Sequence, residues 1–262
     1  MGSPPTTGEI HKLAHTLGVT PTRLDALRAL PPEDLRALRG QIAEALFQAD
    51  RSRFATVAAL SKAVPVAVAA KLTEHAFPPL LAARTAELVD PQRAGELVAR
   101  LSDDYLADVS AALDPGRARE VIAAIPAHRI ARVGAELARR QEWVVIGGFI
   151  DQVSPGALAA TVREFDGEQL LRIGFVLDDK RRLDDITGLV TELQLDAMLE
   201  AARSQKLWAE LDELLSNLSP PRVARLARRY AAAPARLRSA LAKAAATGVL
   251  SERSLTSVAG AH

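Results

Sequence analysis

The stretch Asp90-Pro91-Gln92-Arg93-Ala94-Gly95-Glu96-Leu97-Val98-Ala99-Arg100-Leu101 sets the frame for the rest of the chain. It opens on a polar residue and a proline. Apolar side chains follow four, seven, eight and eleven positions later: Ala94, Leu97, Val98 and Leu101. That spacing places them on one stripe of an α-helix. Asp90 is suited to accept from the first free amides of such a helix. Pro91 suits its first position, where the missing N–H is no loss.

The same frame returns about every twelve residues. Ser102 leads Leu106, Val109 and Leu113; Asp114-Pro115 leads Ala118, Val121, Ile122 and Ile125; Pro126 leads Ile130, Val133 and Leu137. Residues Ala138 to Gln141 then add about one helical turn, so the same face continues. The frame resumes at Glu142 with Ile146, Phe149, Ile150 and Val153. Ser154-Pro155 leads Leu158, Thr161, Val162 and Phe165, and Asp166 leads Leu170, Ile173 and Leu177. A strict count beyond this point would put Arg182 and Asp185 on the apolar face. A one-residue insertion removes the conflict: from Asp179 the stripe is Leu183, Ile186, Thr187 and Val190, and from Thr191 it is Leu195, Met198, Leu199 and Ala202.

A helix this short is unstable alone, and one stripe buries too little to offset its ordering entropy. The units must stack and share burial, as in an α-solenoid. The expected fold is therefore all-α, a solenoid of short helices with a repeat of approximately twelve residues. Four segments are expected: 1–7, a disordered leader; 8–89, N-terminal helices; 90–202, the regular repeat array; and 203–262, C-terminal helices with a basic tail. In the second, Thr20-Pro21 and Pro31-Pro32 mark helix starts, and Leu35, Leu38, Ile42, Leu46 and Phe47 continue a stripe.

The Asp-Pro and Ser-Pro starts, with strings such as Leu88-Val89-Asp90-Pro91 and Ala112-Leu113-Asp114-Pro115, resemble the N-terminal cytosolic domain of MgtE-type magnesium transporters. That resemblance covers roughly residues 60 to 202 and implies a right-handed superhelix. Nothing after the array reads as the transporter's nucleotide-sensing domains or membrane helices, so no metal ligand is carried over.

Chemistry is sparse. There is no phosphate-binding glycine loop, no Gly-x-Ser-x-Gly elbow and no His-Glu-x-x-His. With no cysteine in the chain, disulfides, thiolate metal sites and a cysteine nucleophile are excluded. His11 and His15 share a helix face but make an incomplete metal site. Asp178, Asp179, Asp184 and Asp185 surround Lys180, Arg181 and Arg182, which reads as self-paired surface charge. No enzyme activity, cofactor or resident metal is expected. The absence of a long apolar run or a signal-peptide core points to a soluble, cytoplasmic protein.

Two features stand out. Around Glu142, the residues Trp143, Val144, Val145, Gly147 and Gly148 make the faces off the stripe apolar or bare, and Leu171, Phe175 and Val176 do the same two units later. A helix apolar all round is buried on every side or lines a cavity. The candidate ligand-binding residues are Trp143, Gly147, Gly148, Phe149, Phe165, Leu171 and Phe175, forming a filled core, a groove for a partner helix or a small-molecule pocket. The second feature is charge. From Ser219 onward there are eight Lys or Arg against Glu252 alone, which is +7; the whole chain carries +1, leaving −6 on residues 1–218. Arg222, Arg225, Arg228, Arg229, Arg236 and Arg238 form the candidate basic surface, either for an anionic partner or for docking on the chain's own acidic helices. The functional expectation is a non-enzymatic binding module for a protein partner or a second copy of the chain. A carrier or sensor of a hydrophobic small molecule is the alternative. Nucleic acid and membrane surface are not the expected partners.

Overall fold

The computed structural model describes residues 4–61, 63–251 and 254, and the chain is all-helical, with no strand among the described residues. It divides into two compact units at Thr161/Val162. The first holds α1 (Pro4–Leu17), a 3-10 helix (Pro21–Ala29), α2 (Pro32–Ser61), α3 (Val66–Ala76), α4 (Pro79–Ala86), α5 (Pro91–Val98), α6 (Asp103–Ala112), α7 (Arg119–Ala123), α8 (Ala127–Arg139) and α9 (Trp143–Phe149). Helix α10 (Pro155–Glu164) carries the division. The second unit holds α11 (Gly167–Val176), α12 (Arg182–Leu189), α13 (Glu192–Ser204), α14 (Trp208–Ser216), α15 (Pro220–Ala232) and α16 (Ala235–Ala246). The boundary thus falls inside the segment read as one array, and α1 begins at Pro4, inside the expected leader. The side chains of His15, Leu46 and Phe47, together with residues 1–3 of that leader and 255–262 of the tail, lie outside the described residues.

Helix starts follow the polar residues that open each frame. Asp90 accepts from the Arg93 amide and Ser102 from the Tyr105 amide. Asp166 and Thr191 form capping boxes with Gln169 and Gln194, each satisfying two amides at once. Asp114 instead accepts from Gly116 and Arg117, closing a turn that delays α7 to Arg119. Helix α8 ends where Gln141 takes a left-handed conformation (φ 61°) and the Glu142 amide returns to the Leu137 carbonyl.

Many helices pack on the helix two positions away, while α11 also packs on α14 and α13 on α16. In the first unit α2 packs on α4, α4 on α6, and α6 on α8, while α3 packs on α5 and α5 on α7. In the second, α11 packs on α13 and α13 on α15. The register with the insertion is the observed one: Leu183, Ile186, Thr187 and Val190 are buried, and Arg182 pairs with Asp185. From Leu158 to Ala202 the stripe residues are buried. In the first unit Leu97, Val98 and Val109 stay half-buried on the same stripe.

A second connection joins α5, α6, α8, α13 and α15 each to the helix three positions earlier. The side chain three residues beyond a helix start reaches back to carbonyls left free where the earlier helix ends. Tyr105 donates to the Phe77 carbonyl at 3.0 Å, closing α3. Arg129 donates to the Val98 and Leu101 carbonyls at 3.0 and 2.6 Å, closing α5, and to Asp103 at 2.7 Å. Gln194 donates to the Val162 and Phe165 carbonyls, both at 2.8 Å, closing α10. Arg93 makes the equivalent bond to the Val64 carbonyl. Arg225, one turn further along its helix, donates to Thr187 and Val190 and closes α12.

Two predictions follow from this packing. Arg129 is 8% exposed, so Arg129→Met should cost about 3 kcal/mol in urea unfolding, because it leaves the Val98 and Leu101 carbonyls without this donor and takes one of two cations from Asp103. Arg132 pairs with the same carboxylate from a side chain 64% exposed, and Arg132→Met should cost under about 1 kcal/mol. A methyl at Gly167 would overlap the backbone of Ala197 and Met198 where α11 meets α13. Gly167→Ala should therefore cost about 2 kcal/mol or more, whereas Gly156→Ala, with open space beside it, should leave Tm unchanged or raise it.

Candidate functional site: an apolar cavity in the first unit

The residues singled out by the sequence fall in both units. In the first, Gly147 is buried in α9 beside buried Val145 and Ile146, while Trp143, Gly148 and Phe149 are half-buried. A methyl at Gly148 would make an ordinary contact with Pro115 Cγ, at 3.6 Å. In the second, Phe165 and Leu171 are buried, and Phe175 is half-buried with the Lys180 ammonium 5.5 Å from its ring centre. The space beside Gly174 is taken by Leu183, whose Cδ2 would lie 3.0 Å from an added methyl.

An apolar cavity of about 340 Å³ lies elsewhere in the first unit, and none of these seven residues is in its wall. Helix α3 contributes Ala69, Leu72, Thr73 and Ala76; α4 contributes Ala82, Thr85 and Ala86; α5 contributes Ala94, Leu97 and Val98; and α6 contributes Tyr105, Leu106 and Val109. Val57 of α2 and Val121 of α7 also line it. Ala69, Ala76, Ala82, Ala86 and Ala94 leave part of the facing stripes short. Backbones held by the caps above leave a gap that methyl groups do not fill. Leu72 is 51% exposed, which puts the wall in contact with solvent on α3.

Among the described residues the wall carries no charged side chain. Its polar groups are few. Tyr105 uses its hydroxyl on the Phe77 carbonyl, and burial pushes the phenol up to about 12. Thr85 is 7% exposed and its hydroxyl is buried without a hydrogen-bond partner. Two residues on in the chain, Glu87 accepts from the Asp114 amide at 3.0 Å and from Arg84 at 2.8 Å. Burial nonetheless holds its carboxyl above the usual carboxylate range. This arrangement suits non-covalent burial of an apolar group. The sequence signal for it was the alanine content of three consecutive stripes, which periodicity alone scores as core.

The two charge clusters are largely consumed by the fold. Asp179 pairs with Arg181, which holds its carboxyl low, and Lys180 donates to the Gly174 and Phe175 carbonyls. Asp184 accepts from both the amide and hydroxyl of Ser219, at 2.8 and 2.7 Å, and so fixes the start of α15. Among the described residues no group of three or more His, Asp or Glu is placed to hold a metal ion. Of the basic candidates, Arg225 pairs with Glu192 and Arg229 with Asp196, while Arg238 donates to the Ala231 and Ala233 carbonyls at the end of α15. Arg222 lies over Gly188, Arg236 acts on Glu200, and Arg228 is exposed. Among the described residues no helix is long and apolar enough to cross a membrane.

Hydrogen bonds from Ser219 lower the pKa of Asp184 below its ordinary 3.8. A depressed folded-state pKa adds stability that is full above the ordinary value and is lost as pH falls through the lower one. Wild type should therefore exceed Asp184→Ala by about 1 kcal/mol at neutral pH, and the gap in urea unfolding should narrow as the pH falls below 3.8.

Comparisons with protein families, with curated proteins and with solved structures found no match for this chain.

Proposed function

We propose that this chain is a non-enzymatic helical-repeat binding module of the cytoplasm, and that its working element is the apolar cavity among α2–α7. The observation that carries this reading is the cavity itself: about 340 Å³, with no charged side chain in its wall among the described residues. That volume lies within the range of small-molecule sites, which are concave and mostly apolar. It favours the carrier or sensor of a hydrophobic molecule, located on α3–α6 rather than near Trp143. The packing of α2, α4, α6 and α8, of α3, α5 and α7, and of α11, α13 and α15 on second neighbours, with caps from some helices to the third, supports reading the array as an α-solenoid of roughly twelve-residue units, which we infer to be right-handed like the cytosolic domain of MgtE-type transporters that the sequence resembles.

A specific observation keeps a protein partner as the second reading. Val68 and Leu72, one turn apart on α3, are 49% and 51% exposed, and Leu80 on α4 is 55% exposed. Apolar side chains in solvent beside a cavity suit a partner helix that inserts one side chain.

Native mass spectrometry of the purified full chain separates the two. The carrier reading expects a reproducible low-mass adduct that disappears in Ala86→Phe, whose ring fills the cavity, with the helical circular dichroism retained. The partner reading expects a defined oligomer or complex that Leu72→Asp dissociates. An adduct carried equally by wild type and Ala86→Phe would sink the cavity as the site.

A further inference from the structure

We propose that the outer edge of α3 seats an amphipathic helix of a partner protein, with acidic residues beside its apolar stripe and one side chain entering the cavity. This deepens the partner reading given above and rests on it.

The position follows from the rows of the first unit. Helix α5 packs on α3 and on α7, and α3 is the first helix of that row, since α1 packs on α2 and on the 3-10 helix instead. Ala70 and Phe77 of α3 join a core cluster with Leu101 and Tyr105. At about 100° per residue, Val68 and Leu72 lie on the opposite side of the helix from Ala70. They are half in solvent, and Ala76, one turn beyond Leu72, is exposed as well. Spacings of four keep the three on one stripe. A further helix laid against that stripe continues the row that α5 and α7 already form.

The cavity opens along the same stripe, because Leu72 and Ala76 are both exposed and both in its wall. A dry apolar space of about 150 Å³ accommodates a benzene ring, and about 340 Å³ lies behind this mouth. One large apolar side chain of an incoming helix therefore has a place to go. Val68 is outside the wall. A small molecule in the cavity leaves it in solvent, whereas a helix along α3 covers it, as in helix-in-groove recognition.

The charge of the partner follows from the margin of the stripe. Lys71 precedes Leu72, His75 precedes Ala76, and both are exposed. Among the described residues Lys71 forms no ion pair. Glu74, the only acid of α3, accepts from the Ser102 amide at 3.2 Å and so serves the start of α6. Carboxylates beside the incoming stripe complement this margin, while lysines there meet Lys71 as a like charge. A two-fold pairing of α3 through Leu72 would set the Lys71 side chains of two copies against each other.

The test is fluorescence anisotropy of the full chain with two labelled peptides of about four helical turns. Both carry leucines at i, i+3, i+4 and i+7 on an alanine background. One has glutamates on both flanks of the stripe and the other has lysines. At low salt the glutamate peptide should bind about fivefold more tightly than the lysine peptide, a difference that salt reduces. Leu72→Asp should weaken the glutamate peptide more than about tenfold, and Lys71→Glu should remove its advantage. Leu193→Asp, at an exposed position of α13, should leave binding within about twofold, with helical circular dichroism retained throughout. Equal affinity for the two peptides would overturn the acidic preference, and unchanged binding in Leu72→Asp would overturn the seat. A dimer that Leu72→Asp dissociates, with neither peptide bound, would overturn the acidic helix and make a second copy the partner. A monomer that binds neither peptide would overturn the partner reading itself.

Discussion

Short helices have a large problem at their ends. Each leaves its first amides and last carbonyls without intrahelical partners, so a chain built from helices of about ten residues carries many such groups for every turn it forms. Here the amides are met locally, by Asp90, Ser102, Asp166 and Thr191 at the helix starts. The carbonyls are met from a distance, by Tyr105, Arg129, Gln194 and Arg225 on helices that come later in the chain. Because each of these donors also sits in the first turns of its own helix, closing one helix fixes where another begins. The apolar stripes then meet in a defined register, and their burial stabilises what the caps have placed.

The cavity is a consequence of that rigidity. A helix pair free to slide would close on its alanines, as small facing residues allow close approach. Helices α3, α4 and α5 are tied at their ends instead, through Tyr105 to Phe77, through Arg129 to Val98 and through Glu87 to Asp114. Ala69, Ala76, Ala82, Ala86 and Ala94 therefore face a space they cannot fill. In the second unit the corresponding stripe carries Leu183, Ile186, Leu195, Met198 and Leu199, and these are buried. The cavity described above lies in the first unit.

The charge asymmetry has a structural origin as well. The basic run beginning at Arg222 lies largely on α15, which packs on the acidic first turns of α13. Glu192 and Asp196 receive Arg225 and Arg229, so part of the apparent excess is internal pairing, and Arg228 is left exposed. Individually such pairs contribute little at the surface. Arg225 differs because its guanidinium also closes α12.

By itself the sequence determined the helical class, most helix starts and, from Leu158 to Ala202, the buried stripe. Polar residues capable of capping precede residues spaced at helical period, and both properties are local. It even resolved the one-residue shift near Arg182, because only one register keeps Leu183, Ile186 and Val190 on a common face. It did not single out the apolar cavity among α3–α6. Aromatic and glycine residues around Trp143 and Phe175 drew notice because their own helices looked unusual, yet the cavity formed where alanines from three ordinary helices oppose one another. Whether small side chains leave a gap depends on how closely their backbones approach, and that distance is set by hydrogen bonds between residues about thirty positions apart, such as Tyr105 to Phe77 and Arg129 to Leu101. No local pattern encodes it; only the tertiary structure decides which stripe is filled and which is left open.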